Sequence, residues 1–284
     1  MLKVTIKNEY DETLSITHNE ECFKVTNIEG LNPPKRTIYS SNVYTIPGEV
    51  YNYSKDEKRN IVIEMYLVNN VSLDKYYLVK FFRSKAKITL YFDNTYFIEG
   101  YVETLNYNQF DNKVACQISI MCLYPYFQSI RQQEYYYIGL NNLFTFPFSI
   151  DENGVPLGEL INNSGVEAII NHGIETGCYI EMTFNNNGEN LELVNTVNNS
   201  KIIINRSFNQ GDQLVVDLTG INKRFTLNGL NIISDVVPTN DLLYLSNGNN
   251  FISYNVQRGL NYNDITVKFR QQFLYINELL EDVI

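Results

Sequence analysis

The stretch VACQISIMCLY, residues 114–124, decides the fold class of the first half of the chain. Successive side chains of a β-strand point to opposite faces, so its alternating pattern predicts a long strand with one buried face. Residues 60–68 alternate in the same way, and further strands are predicted at 88–92 and 96–105. Gly100 interrupts the last of these and indicates a bulge or a close backbone approach. The apolar or thiol side chains of the deciding stretch are Val114, Cys116, Ile118, Ile120 and Cys122.

One helix is predicted between these strands, over residues 73–83. Ser72 can cap its first turn, where the negative charge of Asp74 is also favourable. The first half is therefore predicted to be a β-rich α+β domain. The apolar stripe of the helix consists of Leu73, Tyr77, Leu78 and Phe81.

The second half predicts an all-β sandwich of jelly-roll or galectin-like type, so the fold class as a whole is mainly β. Short strands separated by turn signals such as Asn187-Gly188, Gly211-Asp212, Asn228-Gly229 and Asn247-Gly248 are typical of sandwiches. The 39 asparagines agree, because Asn favours turns and tolerates a positive φ. Strands are predicted at 166–171, 178–184, 191–194, 201–205, 213–219, 223–227, 242–245, 251–256 and 264–270.

Charge divides the chain into two predicted domains, residues 1–133 and 134–284. The first contains 15 basic and 15 acidic residues, whereas the second contains 7 basic and 17 acidic residues. The whole net charge of −10 therefore lies in the second domain. Such a step suggests two units with different surfaces, and chance together with a need for solubility is the alternative explanation.

Composition disfavours several classes of protein. No apolar run approaches the roughly 18 residues of a membrane span, and the first residues, MLKVTIKNE, show no signal peptide. A net charge of −10 disfavours nucleic-acid binding, because phosphate recognition needs a basic face. The cysteines form no C-x-x-C pair, so we expect buried, reduced thiols and predict no metal or cofactor. They are Cys22, Cys116, Cys122 and Cys178.

Residues with catalytic potential are sparse, and we do not predict an enzyme. The histidines are His18 and His172, and we assign neither a catalytic role. A glycoside hydrolase with paired carboxylates stays open as an alternative, although the pattern assigns Glu181 and Asp217 to a solvated sheet face. Residues 151–154, DENG, resemble part of a calcium loop but lack the later ligands, so we expect a turn.

Residues 31–58 form a long stretch with no predicted helix or strand. A loop of this length inside a compact domain usually has a function. We expect an extended arm that packs on a neighbouring subunit, and a mobile surface loop is the alternative. The candidate residues of this subunit interface are Pro33, Pro34, Arg36, Tyr39, Tyr44, Tyr51 and Tyr53.

Residues 244–254 combine tyrosines with asparagines, and exposed aromatic rings beside amide side chains are suited to sugar recognition. The candidate contacts to a glycan or to a protein partner are Tyr244, Asn249 and Tyr254. The alternative is a tyrosine-bearing strand beside an Asn-rich turn, and the sequence favours this structural role.

The order of these segments resembles the phage distal tail protein family over nearly the whole chain. In the first half the resemblance rests on residues 96–102 and on residues 117–127, which end in Pro-Tyr-Phe. Pro47-Gly48 followed by residues 59–63 also fits the family. The family often has Pro-Gly where this chain has Asn247-Gly248. In the second half the resemblance rests on residues 199–205, 211–214 and 245–252.

The resemblance implies a structural virion protein of the tail tip or baseplate, assembled in the cytoplasm of the host bacterium. The first domains would close into a ring, usually a hexamer, that continues the channel of the tail tube. The implied partners are other copies of the chain, the tail tube protein, the tail hub with its tail-associated lysin, and receptor-binding proteins or cell-surface carbohydrate. DNA would only pass through the lumen, and no membrane contact is expected.

Two further functions stay open at the level of the sequence. One is a carbohydrate-binding or adhesion module of a cell surface or a tail-like particle, in which the sandwich is the active part. The other is a surface hydrolase with a sandwich fold. Ring formation distinguishes the tail component from both of these alternatives, because neither a binding module nor a hydrolase requires a closed assembly.

Overall fold

The computed structural model describes residues 3–16, 23–45, 47–67, 71–83, 86–108, 114–137, 140–141, 159–160, 168–239, 241–258 and 263–276. The chain divides into a first unit, Met1–Arg131 with Gln272–Ile284, and a second unit, Gln132–Gln271. The predicted boundary lay two residues later and assigned everything after it to the second domain. The structure differs because Gln272–Phe273 pairs with Phe127–Ser129 and so returns the chain to the first sheet.

The first unit contains antiparallel strands and a helix. The elements up to its exit strand are β1 (Val4–Asn8), β2 (Thr13–Ile16), β3 (Phe23–Glu29), β4 (Arg36–Asn42), β5 (Glu49–Asp56), β6 (Arg59–Leu67), α1 (Val71–Phe81), β7 (Lys87–Phe92), β8 (Tyr96–Tyr107), β9 (Val114–Cys122) and β10 (Phe127–Ser129).

The second unit is composed of strands and one described turn of 3-10 helix, Ile233–Asp235. Its strands, followed by the strand that returns to the first unit, are β11 (Gln133–Tyr137), β12 (Leu140–Asn141), β13 (Glu159–Leu160), β14 (Ile169–Asn171), β15 (Tyr179–Thr183), β16 (Gly188–Asn195), β17 (Lys201–Phe208), β18 (Gln213–Asp217), β19 (Arg224–Leu227), β20 (Leu230–Asn231), β21 (Val236–Val237), β22 (Gly248–Asn250), β23 (Ile252–Gln257), β24 (Asp264–Phe269) and β25 (Gln272–Phe273).

The main sheet of the first unit has the strand order β2-β1-β7-β8-β9-β6-β3, with β10 beside β8 and β25 beside β10. Ile61 of β6 lies opposite Ile120 of β9, so the alternating apolar positions share one face. That face forms the core together with residues of α1. At Gly100 a Cβ would lie 2.7 Å from Cγ2 of Ile120, which makes this position the predicted close approach.

The helix begins two residues earlier than predicted, so Ser72 lies inside α1 and is not its cap. Leu78 and Phe81 are buried as predicted, but Leu73 and Tyr77 are exposed. The physical reason is the helical turn of about 100° per residue, which turns Leu73 about 140° away from Leu78. No helix of the described residues has the length and apolar character that a bilayer crossing requires.

The second unit is a β-sandwich. One sheet has the order β11-β24-β15-β18-β19-β20 and the other has the order β21-β17-β16-β23. Buried side chains of both sheets form a single core, with Ile180 and Val267 from the first and Leu193 and Ile202 from the second. The predicted mainly β fold class is thereby confirmed.

A tight turn was predicted correctly, but one of the predicted strands was wrong. Asn228 and Gly229 both adopt positive φ between β19 and β20, as the predicted tight turn requires. Residues 242–245, in contrast, form no strand, and Leu245 makes only an isolated bridge with Thr176. Asn195 and Asn198 donate side-chain hydrogen bonds to the carbonyl oxygen of Tyr244, so this group is not available to a sheet partner.

Candidate functional site

The predicted arm is an antiparallel hairpin made of β4 and β5, which we call the arm, residues 36–56. Its strands pair from Arg36 opposite Asp56 to Asn42 opposite Glu49, with a register shift after Tyr39. Within the described residues, β4 and β5 form a two-stranded sheet of their own. Most of their side chains are exposed. The sequence predicted the arm but not its strands, because residues 36–56 lack a clear alternation of apolar and polar positions.

Aromatic side chains cover the arm. Tyr51 and Tyr53 are more than half exposed, and Tyr44 is fully exposed in the turn. The rings of Tyr39 and Tyr53 stack across the two strands with their centroids 4.5 Å apart. The four predicted tyrosines therefore lie on one element, together with the exposed apolar side chain of Ile38. Among the described residues, these side chains form an exposed aromatic surface.

The arm root, residues 30–36 and 56–59, contains the remaining predicted residues. Pro33 is exposed and Pro34 half-buried in the segment before β4. Arg36 forms a two-point ion pair with Asp56, with its Nε 2.6 Å and its Nη2 3.1 Å from the two carboxylate oxygens. Tyr126 donates its hydroxyl to Oδ2 of Asp56 at 2.8 Å. The hydrogen bonds from Arg36 and Tyr126 hold the pKa of Asp56 below its ordinary value.

Arg59 is the buried residue of the arm root and is only 3% exposed. Its guanidinium donates to the carbonyl oxygens of Gly30, Asn32, Pro125 and Leu274 at 2.5–2.7 Å. Its Cζ also lies 4.4 Å from the ring centroid of Phe127. Burial lowers the pKa of Arg59 to about 10, so the side chain stays charged at neutral pH.

Sequence reasoning missed Arg59, although a signal was present. It occupies the first position of the apolar series Ile61, Ile63 and Met65, on the face that points to the core. An arginine at a buried strand position needs acceptors for its five donor hydrogens. The carbonyl groups come from segments far apart in sequence, so their identity was not predictable.

The predicted contact residues of the sandwich do not form one surface. Tyr254 is buried in the core, where its hydroxyl accepts a hydrogen bond from the backbone N–H of Asn263 at 2.9 Å. Burial raises its pKa to about 12. The prediction of a glycan or partner contact at Tyr254 is therefore wrong, because its side chain alternates inward from β23. Tyr244 is half-buried and Asn249 is exposed.

The Asn-rich turn of the sandwich is structural. Asn250 is fully buried, and its side-chain amide donates to the carbonyl oxygens of Ser246 and Gly248 at 2.8 and 3.0 Å. Asn195, also buried, donates 2.8 Å hydrogen bonds to Oδ1 of Asn250 and to the carbonyl of Tyr244. Asn side chains thus replace backbone partners in this turn, and the amide groups are not directed at a ligand.

Glu181 and Asp217, the carboxylates considered for glycoside hydrolysis, both pair with cations. Nζ of Lys268 lies 3.0 Å from Oε1 of Glu134 and 3.2 Å from Oε2 of Glu181. Hydrogen bonds from Tyr136 and Lys268 lower the pKa of Glu134, whereas a glycosidase acid needs a raised pKa. Asp217 pairs with Arg224. His172 is exposed, while His18 and residues 151–154 lie outside the described residues.

Metal and thiol chemistry has no visible basis in the described part of the chain. No group of three or more His, Cys, Asp or Glu side chains there could hold a metal ion. Cys116, Cys122 and Cys178 are buried, and burial raises the pKa of each thiol to about 12. These thiols are therefore protonated at neutral pH, whereas a reactive cysteine needs an accessible thiolate. Cys22 lies outside the described residues.

Residues 173–273 match the family model described as the C-terminal domain of a siphovirus-type tail component. The resemblance predicted from the sequence is confirmed. The matched region covers most of the second unit and includes β15–β24. A search of curated proteins finds no match.

The crystal structure of SPP1 Dit (gp 19.1) is similar to this chain, with a TM-score of 0.66 at 12% sequence identity. The match covers 95% of this chain and 99% of SPP1 Dit, which is described as a paradigm of hub adsorption apparatus in Gram-positive infecting phages. Structures of the activated phage P2 baseplate with Ca and with Sr have TM-scores of 0.46 and 0.47 at 10% identity. They cover 97% and 96% of this chain and 100% and 99% of theirs. This match shows that the chain shares the fold of SPP1 Dit.

Proposed function

We propose that this chain is a structural component of a phage tail tip or baseplate, in which the first unit closes into a ring. The exposed arm carries this proposal. A lone two-stranded hairpin is marginally stable in water, and contiguous exposed apolar surface marks an interaction site. A neighbouring copy that covers the arm provides both the missing packing and the contact.

A ring requires each copy to offer one surface and to accept a different one, because a cyclic interface of more than two subunits is heterologous. The arm supplies the offered surface. Its aromatic side chains are the type that interface cores enrich, and tyrosine loses little conformational entropy on binding. The hexameric state is proposed from the family resemblance.

The open face of the main sheet of the first unit suits the channel of such a ring. Opposite its apolar face it bears polar groups that bond to one another, including Ser119 with Asn60 and Glu103, each at 2.9 Å. A polar face without a basic cluster among its described residues lets DNA pass and does not hold phosphate groups. This face is our proposed lining of the lumen.

The proposed partners are the tail tube protein, the tail hub with its lysin, and a receptor-binding protein, all within the virion. The match of residues 173–273 to a tail-component domain supports this location. On the sandwich, Tyr244 and Asn249 are the remaining proposed positions for contact with a protein or a glycan. Replacing Tyr244 with Ala should weaken such binding and leave the ring intact, as measured by glycan-array and pull-down assays.

Deletion of residues 42–55 tests the proposed role of the arm. We expect a folded, mainly monomeric protein in light scattering and negative-stain imaging, whereas the wild-type chain forms rings with a central hole. Ile221→Ser is the control, since it removes an exposed apolar side chain from the second unit and should leave rings unchanged. A wild-type protein that stays monomeric at high concentration contradicts the ring, and a deletion variant that still assembles contradicts the role of the arm.

A further inference from the structure

The described part of the first unit exposes large apolar side chains in two clusters, and the arm is one of them. The other is the outer side of α1, where Tyr76 is 71% and Val79 is 54% exposed. The other exposed large apolar residues of the described first unit are dispersed. They are Tyr66, Tyr101, Leu123, Tyr275 and Tyr10, the last of which lies under the guanidinium of Arg83.

Helix geometry places these side chains of α1 on one face. At about 100° per residue, Tyr76, Val79 and Lys80 project within roughly 100° of one another, and the exposed Arg83 follows two residues after the helix ends. Leu78 and Phe81 project to the opposite side and are buried in the core. We call Tyr76, Val79, Lys80 and Arg83 the α1 face, and the exposed Leu73 and Tyr77 lie at its margin.

The arm of the same chain leaves the α1 face uncovered, since the side chains of both surfaces are exposed. A ring needs two different complementary surfaces on each copy. The arm and the α1 face are the two exposed apolar clusters of the described first unit. We propose that the α1 face is the docking site for the arm of the neighbouring copy. This inference rests on the proposed ring and identifies its second surface.

Charge complementarity supports this pairing. Between Ile38 and Tyr53 the arm contains one charged residue, Glu49. The α1 face contributes two positive charges, Lys80 and Arg83, while the acidic Asp74 lies on the side of the helix that faces the core. The tyrosines of the arm can also lie against these cations, because the faces of aromatic rings attract Lys and Arg. A second copy therefore brings Glu49 and the aromatic side chains of the arm to a helix face that carries Lys80 and the neighbouring Arg83, while Arg36, Lys55 and Asp56 lie at the base of the arm.

Two variants separate the surfaces. The arm variant combines Tyr44→Ser with Tyr51→Ser, and the helix variant combines Tyr76→Glu with Val79→Glu, which keeps good helix formers at exposed positions. Each variant alone should be monomeric, with the concentration for half-assembly raised by roughly thirtyfold or more, as for loss of an interface hot spot. Near-ultraviolet circular dichroism should show an unchanged fold.

An equimolar mixture of the two variants gives the decisive result. The helix variant still offers an intact arm and the arm variant still offers an intact α1 face, so we expect a 1:1 dimer that cannot grow further. Mass photometry and native mass spectrometry distinguish this dimer from monomers and rings. The control is Ile221→Glu with Leu230→Glu, two exposed positions of the second unit, which should assemble like the wild-type protein.

The outcomes separate this inference from the proposed function. A monomeric arm variant together with a helix variant that forms rings would reject the α1 face as the docking site while keeping the ring. An arm variant that assembles normally would reject the bridging role of the arm itself. A benzophenone photo-crosslinker at residue 44 gives an independent readout, and cross-links to another copy should fall within residues 71–83. Cross-links elsewhere on that copy would overturn the assignment.

Discussion

At the scale of single residues, buried polar side chains fix the arm root and the Asn-rich turn of the sandwich. Arg59, Asp56 and Asn250 have side chains that are largely removed from water, and each makes several hydrogen bonds within its own unit. An unsatisfied polar group in such a position costs much more than a hydrogen bond contributes. These three positions are therefore where single substitutions should be most damaging.

Replacing Arg59 with Met should destabilise the first unit by about 3 kcal/mol, because four carbonyl groups lose a charged donor. Arg59→Lys should recover part of the loss, since an ammonium group keeps the charge but has fewer donors. Urea unfolding monitored by tyrosine fluorescence provides the measurement. Arg258→Met, which breaks an exposed ion pair with Glu189, is the matched control and should change little.

The ion pair between Asp56 and Arg36 predicts that the protein loses stability in acid. Its pKa is lowered by Arg36 and Tyr126, so its contribution is complete above the ordinary carboxyl value of 3.8. The contribution disappears as the pH falls through the lowered pKa. Asp56→Asn should therefore cost about 2 kcal/mol at pH 7, and the cost should shrink progressively as the pH falls below 3.8, measured as the difference in unfolding free energy from wild type. A constant difference across this range would contradict the ion pair.

Asn250 and Asn249 are adjacent residues with opposite environments, which makes them a matched pair. Asn250→Ala should destabilise the sandwich by about 2–3 kcal/mol, because it leaves buried carbonyl and N–H groups without partners. Asn249→Ala removes an exposed side chain and should stay within about 0.5 kcal/mol. Thermal unfolding checks both variants, and equal effects would mean that the buried Asn network is not structural.

At the scale of the element, the arm depends on the chain reversal at its root. Gly30 has a φ of +87°, and a Cβ there would lie 2.1 Å from the carbonyl oxygen of Asn60. Gly48, near the arm turn, has a similar φ of +93° but nothing within 4 Å. Both positions strain an alanine, but only Gly30 lacks the space for one.

Comparing Gly30→Ala with Gly48→Ala should separate strain from lack of space. Gly48→Ala should cost about 1 kcal/mol from the left-handed backbone alone. Gly30→Ala should cost about 3 kcal/mol, because the strand of Asn60 must also move. Denaturant midpoints provide the values. Similar losses in the two variants would show that the root can rearrange around a side chain.

Long strands with one buried face were predictable, whereas β1, β2 and β3 were not predicted although they too contain buried positions. The alternation in residues 60–68 and 114–124 predicted β6 and β9 within two residues at each end, because the core imposes a period of two. β4 and β5 have no such period, since neither of their faces packs on a core. The side chains of Tyr244 and Tyr254 could not be assigned to surface or interior from composition, because the turn before β23 sets which positions of the strand point inward.

At the scale of the whole molecule, each unit has a core of its own, and the excess of negative charge lies in the second half of the sequence. A self-associating first unit benefits from a surface without net charge, while like charge keeps exposed sandwiches apart in solution. The family resemblance identified the fold from sequence. The exposure of Leu73 and Tyr77 on α1 was not predicted, because both were assigned to the core.

Assembly should stabilise the two units unequally. A ring that forms through the first unit stabilises that unit by mass action, so its stability should increase with protein concentration. We expect amide-exchange protection of residues 36–56 and 71–81 to rise over a hundredfold range of concentration, while protection of residues 179–217 stays constant. A uniform rise in both units would argue against an interface confined to the first unit.

The arm also has a consequence for newly made copies. Within the described residues, β4 and β5 pair only with each other, so each strand keeps one row of unsatisfied backbone donors and acceptors. Such a row can hydrogen-bond with any other exposed strand that it encounters. Copies that do not meet another copy in the geometry of the proposed ring should therefore tend to form irregular aggregates, and the yield of soluble material should increase under conditions that favour assembly.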